Sequence, residues 1–184
     1  MVRFLGITGT PGTGKKTLAP AVAKELGVPF IGLNELLTPS ERVRTSRGVD
    51  PRLLRKRLLR RTRETALVYG HLVPDVLERG DVERVVVLRC NPSKLARRLR
   101  QRSYPRAKVA ENVEAELIGV VSAASILRFG GRRCADFDTS SRSVTNSAAA
   151  VAKLLRAPHP RGARVDWVAL YSSAEKLRSL LSVE

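Results

Sequence analysis

"GTPGTGKKT" at residues 9–17 matches the phosphate-binding pattern G-x-x-x-x-G-K-[ST] at every defined place except the last. The apolar run "VRFLGIT" (2–8) precedes it, and a helical pattern from Gly14 to Leu26 follows it. In this context the loop exposes successive backbone N–H groups at a helix N-terminus, where they can hold phosphate. The stretch therefore predicts a P-loop protein that binds a nucleotide.

The phosphate-binding residues expected from the pattern are Gly9, Gly12, Gly14, Lys15, Lys16 and Thr17. Lys15 is expected to reach the β- and γ-phosphate oxygens. The next position normally carries a hydroxyl that ligates Mg²⁺, but Lys16 stands there, and an ammonium has no acceptor. A helical step turns the hydroxyl of Thr17 about 100° away, toward the α-phosphate. Lys16 either swings outward or places its own charge where that of the metal would be.

The rest of the chain alternates apolar runs with helical patterns. Further strands are predicted at 28–33, 65–70, 83–90 and 134–140. Helices are predicted after the cap-and-proline pairs Asp50–Pro51 and Asn91–Pro92, within 71–80, over Ala107–Phe129 and over Val144–Arg156. Pro20 predicts a kink or a loosened first turn in the first helix. This order predicts an α/β fold, with a parallel five-stranded sheet and helices on both faces.

The charge of the chain indicates polyanionic partners. Its 34 Lys and Arg against 17 Asp and Glu give a formal charge of +17. The alternative is a hot or salty setting in which an arginine-rich proteome carries such charge on every surface. Because the one Trp, three Tyr and four Phe are too few for a base-stacking platform, we expect contact with the phosphate backbone of RNA.

Other classes of protein are disfavoured. No apolar run approaches the roughly 20 residues that cross a bilayer, and the N-terminus does not resemble a signal peptide, so we expect a cytoplasmic protein without membrane contact.

Cys90 and Cys134 lie at predicted strand ends, where they are either two buried thiols or a disulfide. With no CxxC and no clustered histidines, we expect no metal site built from protein side chains alone.

Four stretches of the chain together resemble a known family. They are "GTPGTGKKTLA" (9–19), "GHLVPDV" (70–76), "VVLRCNPSKLARRLRQRSYPRAKVAENVEAE" (86–116) and "FDTS" (137–140). The chain is similar to the archaeal putative adenylate kinases, relatives of the nuclear adenylate kinase isoenzyme that serves small-ribosomal-subunit maturation. The likeness covers about residues 1–156. Its most specific positions are Arg102, Tyr104, Lys108, Asn112 and Glu116.

The resemblance implies a nucleoside monophosphate kinase. Its P-loop core would span residues 1–156, with a monophosphate-binding arm at 34–50 and a lid at 101–111. It implies ATP and AMP, or another monophosphate, as substrates, and Mg²⁺ without assigned protein ligands. It also implies that Lys15, Arg102 on the lid and His71 at a strand end are catalytic. Residues 157–184 form an extension that we expect Trp167 to pack onto the core.

One more position departs from the family pattern. Tyr69 stands where the family commonly has an acid that helps hold Mg²⁺. Together with Lys16 this changes the formal charge around the metal by about +2 if Lys16 points inward. We therefore expect Mg²⁺ to be held weakly, or through phosphates and water only.

Three functions remain open on the sequence. The first is a broad-specificity monophosphate kinase, and the second is an ATPase that acts in 30S subunit maturation and rRNA processing. The third is a nucleotide- and RNA-binding assembly factor with weakened catalysis; a shikimate-kinase-like phosphotransferase is a more distant alternative. The resemblance also implies small-subunit ribosomal protein eleven as a partner. Since that protein is itself basic, either an acidic patch from Glu111, Glu114 and Glu116 or rRNA must supply the opposite charge.

Overall fold

The computed structural model describes residues 3–43, 49–163 and 165–173. The strands are β1 (Phe4–Thr8), β2 (Phe30–Gly32), β3 (Leu67–Tyr69), β4 (Val82–Arg89) and β5 (Cys134–Asp138). The helices are α1 (Lys15–Leu26), α2 (Pro39–Val43), α3 (Pro51–Arg61), α4 (Val73–Val76), α5 (Pro92–Arg100), α6 (Arg106–Leu117), α7 (Val120–Phe129), α8 (Val144–Arg156) and α9 (Trp167–Leu170). A 3₁₀ turn over Leu33–Leu36 follows β2, and another over Gly131–Arg133 precedes β5.

The five strands form one parallel sheet in the order β2-β3-β1-β4-β5. The central strand β1 is buried along its whole length, as a strand covered on both faces must be. One face packs on α1 and α8 through Leu18, Ala19, Val22, Ala23, Ala148, Val151, Ala152 and Leu155. The other packs on α3, α4 and α7 through Leu54, Leu58, Val73, Val76 and Phe129. The predicted α/β fold, with a parallel five-stranded sheet and helices on both faces, is confirmed.

Two predicted helix starts are confirmed by their caps. The carboxylate of Asp50 accepts a hydrogen bond of 2.8 Å from the backbone N–H of Arg52. The side-chain oxygen of Asn91 accepts from the backbone N–H groups of Ser93 and Lys94. A proline follows each cap, because the first helical position needs no N–H donor.

The prediction of one helix from Ala107 to Phe129 is wrong. The chain forms α6 and α7, separated at Gly119, whose φ of +71° lies in the left-handed region that favours glycine. The break lets α6 pack on α5 while α7 packs against α4 on the sheet face. By contrast, α1 continues through Pro20 as one 12-residue helix, since only one backbone bond is lost there.

A buried carboxylate joins several elements near the end of β4. The side chain of Glu116 on α6 is only 1% exposed. It accepts hydrogen bonds from Nε of Arg89 (2.8 Å), the backbone N–H of Cys90 (3.0 Å), Oγ1 of Thr10 (2.7 Å) and Nε1 of Trp167 (3.1 Å). Glu116 therefore links α6 to β4, to the P-loop and to the start of α9.

Arg89, the arginine that pairs with Glu116, is also buried, with 4% of its surface exposed. Arg89, the last residue of β4, also donates to Asp136 of β5 at 3.0 Å and to the backbone carbonyl of Glu116 at 2.8 Å. Asp136 in turn accepts from the hydroxyl of Ser122 on α7. Buried charges of this kind are stable only when paired and fully hydrogen-bonded, as these are.

The described part of the extension lies against α5 and α6. Besides the bond from Trp167, the hydroxyl of Tyr171 lies 2.7 Å from that of Ser93 and 3.0 Å from the side-chain oxygen of Asn91. Trp167 thus contacts Glu116 of α6, while packing of the whole 157–184 extension onto the core stays a prediction. The predicted capping pair Ser172–Glu175 includes a residue outside the described ranges, and so do positions 44–48 of the arm.

The two cysteines are free thiols, Cys90 buried and Cys134 partly buried. Cys134 begins β5 and pairs with Val85 in mid-strand, whereas Cys90 follows the last residue of β4. They therefore lie at different heights on the sheet, and the disulfide alternative is wrong. Within the described ranges, no helix is long and apolar enough to span a membrane.

We predict that Glu116→Gln lowers the free energy of unfolding by about 3 kcal/mol, since it leaves Arg89 with less compensating charge in a buried site. Chemical denaturation monitored by circular dichroism measures the change. Glu111→Gln on the same helix is the matched control: its exposed ion pair with Lys108 should contribute less than about 1 kcal/mol. Equal effects of the two variants would contradict a central role for Glu116.

Candidate functional site

The P-loop is shaped by glycines that have no room for a side chain. At Gly9, where φ is +138°, an added Cβ would lie 2.3 Å from the carbonyl oxygen of Leu88. At Gly12, where φ is +93°, it would lie 2.6 Å from Cδ1 of Leu95. The loop therefore rests directly on the end of β4 and on α5, and Gly14 leads it into the first turn of α1.

Lys15 is held at the mouth of this loop. Its Nζ donates to the carbonyl oxygens of Gly9 (2.6 Å) and Thr10 (2.9 Å). The pKa of Lys15 is lowered to about 7, chiefly by burial; the charge of Glu116 acts in the opposite direction, and that of Arg102 adds to the lowering. In neutral solution the lysine is therefore close to losing its proton, and a bound phosphate would favour its charged form.

Two cavities flank the P-loop. A cavity of about 260 Å³ on the α5 and α8 side is lined by Gly12, Thr13, Gly14, Thr17, Leu18, Arg98, Gln101, Arg102, Thr139, Arg142, Val144 and Ser147; we call it the donor-side cavity. A cavity of about 430 Å³ on the β2 and β3 side is lined by Lys15, Lys16, Gly32, Asn34, Glu35, Leu37, Tyr69, Gly70 and His71; we call it the acceptor-side cavity.

A third cavity of about 250 Å³ lies over the loop between them and is called the bridging cavity. It is lined by Pro11, Gly12, Gly14, Lys15, Lys16, Thr17, Asn34, His71, Arg102 and Tyr104. The structure thus brings together all the site residues expected from the sequence except Gly9, which lies beneath the loop against Leu88. Their individual roles stay predictions.

The turn after α5 places Arg102 and Tyr104 at the bridging cavity. α5 ends at Arg100, and Ser103 adopts a positive φ of 58°, an uncommon conformation for a residue other than glycine. The chain reverses there before α6 begins at Arg106. Arg102 is exposed and lines both the donor-side and the bridging cavities, as a lid arginine would.

His71 lines both the bridging and the acceptor-side cavities. Its pKa is lowered to about 4, chiefly by burial and in smaller part by the charges of Lys15 and Lys108. The imidazole is therefore neutral at pH 7, where it can donate one hydrogen bond and accept another. It would meet a phosphate as a hydrogen-bond donor rather than as a cation.

Glu35 is a site residue that the sequence analysis missed. The hydroxyl of Tyr69 donates to Oε1 of Glu35 at 2.9 Å. The pKa of Tyr69 is raised to about 12, first by burial and then by the hydrogen bond to Glu35 and its charge. Gly32 permits this pairing, because an added Cβ would lie 2.6 Å from Oε1 of Glu35. The available signal was position, since Glu35 follows β2, whose neighbour β3 ends at Tyr69.

These donors do not fit the usual protein ligation of Mg²⁺ at a P-loop. Lys16 presents an ammonium instead of a hydroxyl, and the phenol of Tyr69 uses its proton on Glu35 instead of presenting a carboxylate. Across the described part of the chain, no three His, Cys, Asp or Glu side chains form a candidate metal site. That Mg²⁺ is held weakly, or through phosphates and water only, stays a prediction.

Comparison with known proteins supplies the family. Residues 5–119 match the family described as AAA domain. The chain is 36% identical to a protein of Natronomonas pharaonis named putative adenylate kinase, over 84% of this chain and 92% of that protein. A protein of the same name from Methanocaldococcus jannaschii is 30% identical, over 91% of this chain and 94% of its own length.

Solved structures support the fold. A gluconokinase from Sinorhizobium meliloti gives a TM-score of 0.57 at 19% identity, over 82% of this chain and 91% of its own. A shikimate kinase from Bacteroides thetaiotaomicron gives a TM-score of 0.58 at 21% identity, over 84% of this chain and 99% of its own. At these identities the likeness concerns the fold alone, that of P-loop kinases.

We predict that ATP binding above neutral pH takes up a proton at Lys15. With a pKa of about 7 in the free protein and a higher one beside phosphate, ATP affinity should fall by up to about tenfold per pH unit between pH 7 and 9. Calorimetric titration at pH 8.5 in two buffers of different ionisation enthalpy measures the uptake. Lys15→Arg is the control, because its guanidinium stays charged and should take up no proton there. Equal uptake in both proteins would contradict the assignment.

Proposed function

This chain belongs to the archaeal family whose members are named putative adenylate kinase, and we propose that it is a nucleoside monophosphate kinase. In this reaction the γ-phosphoryl group of ATP passes to a phosphate oxygen of AMP, or of another monophosphate, and two diphosphates are released. The bond that breaks joins the γ-phosphorus to the β,γ-bridging oxygen.

The observation that carries this proposal is the placement of the P-loop between two cavities. The donor-side cavity shares Gly12, Gly14, Thr17 and Arg102 with the bridging cavity. The acceptor-side cavity shares Lys15, Lys16, Asn34 and His71 with it. Two substrates can therefore approach the same phosphate-binding loop from opposite sides, as in-line transfer requires.

The residues of the bridging cavity suit phosphoryl transfer. Catalysis of this reaction depends on positioning and charge stabilisation, with little covalent chemistry for the protein. The backbone N–H groups of the P-loop and Lys15 would hold the β- and γ-phosphates, and Arg102 would meet charge that develops on the transferring group. Because an acceptor phosphate is already ionised at neutral pH, a general base is unnecessary. Neutral His71 would orient oxygens by hydrogen bonding.

The acceptor-side cavity borders the proposed monophosphate arm. Within the arm, Glu41 of α2 forms an ion pair with Arg57 of α3, with an N–O distance of 2.7 Å. This pair joins the middle of the arm to α3 and holds the pKa of Glu41 at about 2, chiefly through the hydrogen bond from Arg57. The basic stretch "SERVRTSRG" (40–48), proposed to bind the acceptor, lies mostly outside the described residues.

A second candidate function is the ATPase of 30S subunit maturation and rRNA processing. The observation that favours it is the surface of α3. Arg55 pairs with Asp81 and Glu78, and Arg57 pairs with Glu41. The exposed cations of that helix are Arg52, Lys56, Arg60 and Arg61. They suit the phosphate backbone of rRNA.

The partner implied by resemblance, small-subunit ribosomal protein eleven, has less support. Glu116 is buried and bonded, and Glu111 is paired with Lys108. The acidic patch expected from Glu111, Glu114 and Glu116 is therefore not a surface of three carboxylates. An RNA counter-charge suits the described surface better than a basic protein does.

Measuring ADP formation from ATP alone and from ATP plus AMP, each with Mg²⁺ and with chelator, tests the two functions. Rapid ADP formation that requires AMP is the expected result. Slow ADP release without AMP would favour the assembly ATPase. ATP binding without ADP formation under any condition would indicate a scaffold with weakened catalysis and would overturn the kinase proposal.

We also predict that Arg102→Ala lowers kcat by about a hundredfold, because the variant loses a cation that stabilises the transferring group. Steady-state kinetics with ATP and AMP measures this loss. Arg100→Ala is the matched control, since Arg100 is exposed two residues earlier and lines none of the three cavities. Similar kcat values for the two variants would remove Arg102 from the mechanism.

A further inference from the structure

We propose that Lys16 supplies from the protein part of the positive charge that Mg²⁺ brings to a nucleoside triphosphate. The chain would then bind ATP by a mode that depends little on a divalent cation. The inference rests on the proposed function only in requiring a triphosphate on the P-loop. It concerns binding and stands apart from the question of which acceptor is phosphorylated.

The position of Lys16 carries the proposal. Its side chain is exposed and lines both the acceptor-side and the bridging cavities. Of the two alternatives raised by the sequence, the structure therefore favours Lys16 facing the cleft. An ammonium there can contact phosphate oxygens on the same side of the loop as His71 and Asn34.

The two consecutive lysines differ in what already holds them. Lys15 donates to two carbonyl oxygens of the loop, whereas the ammonium of Lys16 has no ion pair or hydrogen bond to any residue in the described ranges. A phosphate can therefore contact Lys16 without first breaking such a bond. Contacts between an ammonium and a phosphate are charge-assisted and among the stronger hydrogen bonds of proteins.

The Tyr69–Glu35 pair, which lines the same acceptor-side cavity as Lys16, supports the same conclusion. With a phenol at the end of β3, the carboxylate nearest to that position is Glu35, and it is bonded to the phenol. The absence of a side chain at Gly32 leaves the space that the Tyr69–Glu35 pair occupies. The acceptor-side cavity thus combines the ammonium of Lys16, which has no bond in the described ranges, with the carboxylate of Glu35, which is already hydrogen-bonded.

The test compares binding of the non-hydrolysable β,γ-imido analogue of ATP in excess Mg²⁺ and in chelator, measured by calorimetry. For the parent protein we expect dissociation constants within about threefold of each other. Lys16→Thr removes the cation and restores the hydroxyl. We expect it to weaken binding in chelator by about tenfold and to make binding respond to Mg²⁺.

Two further variants sharpen the experiment. Lys24→Thr makes the same change on an exposed turn of α1 that lines none of the three cavities, and it should leave both dissociation constants within about twofold. Lys16→Thr combined with Tyr69→Asp should tighten Mg²⁺ dependence further, because it adds a carboxylate. Thermal unfolding of each variant shows whether it remains folded.

Two outcomes would overturn the inference. One is a parent protein that binds the analogue only with Mg²⁺, and the other is equal binding in chelator by the parent and by Lys16→Thr. Neither depends on phosphoryl transfer. A protein that binds the analogue in chelator but makes no ADP from ATP plus AMP would support the role of Lys16 and would contradict the kinase proposal.

Discussion

The structure depends on the buried carboxylate of Glu116. Four donors from three segments bond to it: Thr10 of the P-loop, the consecutive residues Arg89 and Cys90 at the end of β4, and Trp167 at the start of α9. Such a group is costly to bury, and its presence is stable only because every oxygen is bonded and Arg89 supplies the opposite charge. The position of α6, and with it the turn that carries Arg102, is thereby tied to the loop that binds phosphate.

The same carboxylate acts on the electrostatics of the cleft. Burial and Arg102 both lower the pKa of Lys15, and the charge of Glu116 opposes them. The hydrogen bond from Thr10 to Glu116 also fixes one of the two loop residues whose carbonyls hold Lys15. One buried charge therefore both anchors the loop through Thr10 and partly offsets the effect of burial on the pKa of Lys15. We infer that an exposed carboxylate would achieve neither, because solvent would screen it.

The fold was largely predictable because its signals are local. The P-loop glycines, the cap-and-proline pairs and the apolar runs each act within a few residues, and the parallel sheet follows from their order. The division into α6 and α7 was missed because Gly119 lies in an otherwise continuous helical pattern. Glu35 and the network of Glu116 were missed because their partners are distant in sequence: Tyr69 is 34 residues from Glu35, and Thr10 is 106 residues from Glu116. Pairing at such separations is set by the packed sheet.

The two departures at the metal side of the cleft are understandable as one change. An acid at position 69 would line the same cavity as Lys16 and would attract its ammonium into an ion pair, so that both charges would be lost to a nucleotide. A phenol keeps a hydrogen-bond donor at that place without the charge, and Oε1 of Glu35 accepts its hydrogen bond. Lys16 then stays available to phosphate. Glu35 lines the same cavity as Lys16, but its Oε1 accepts from Tyr69 and no ion pair joins it to Lys16 in the described ranges.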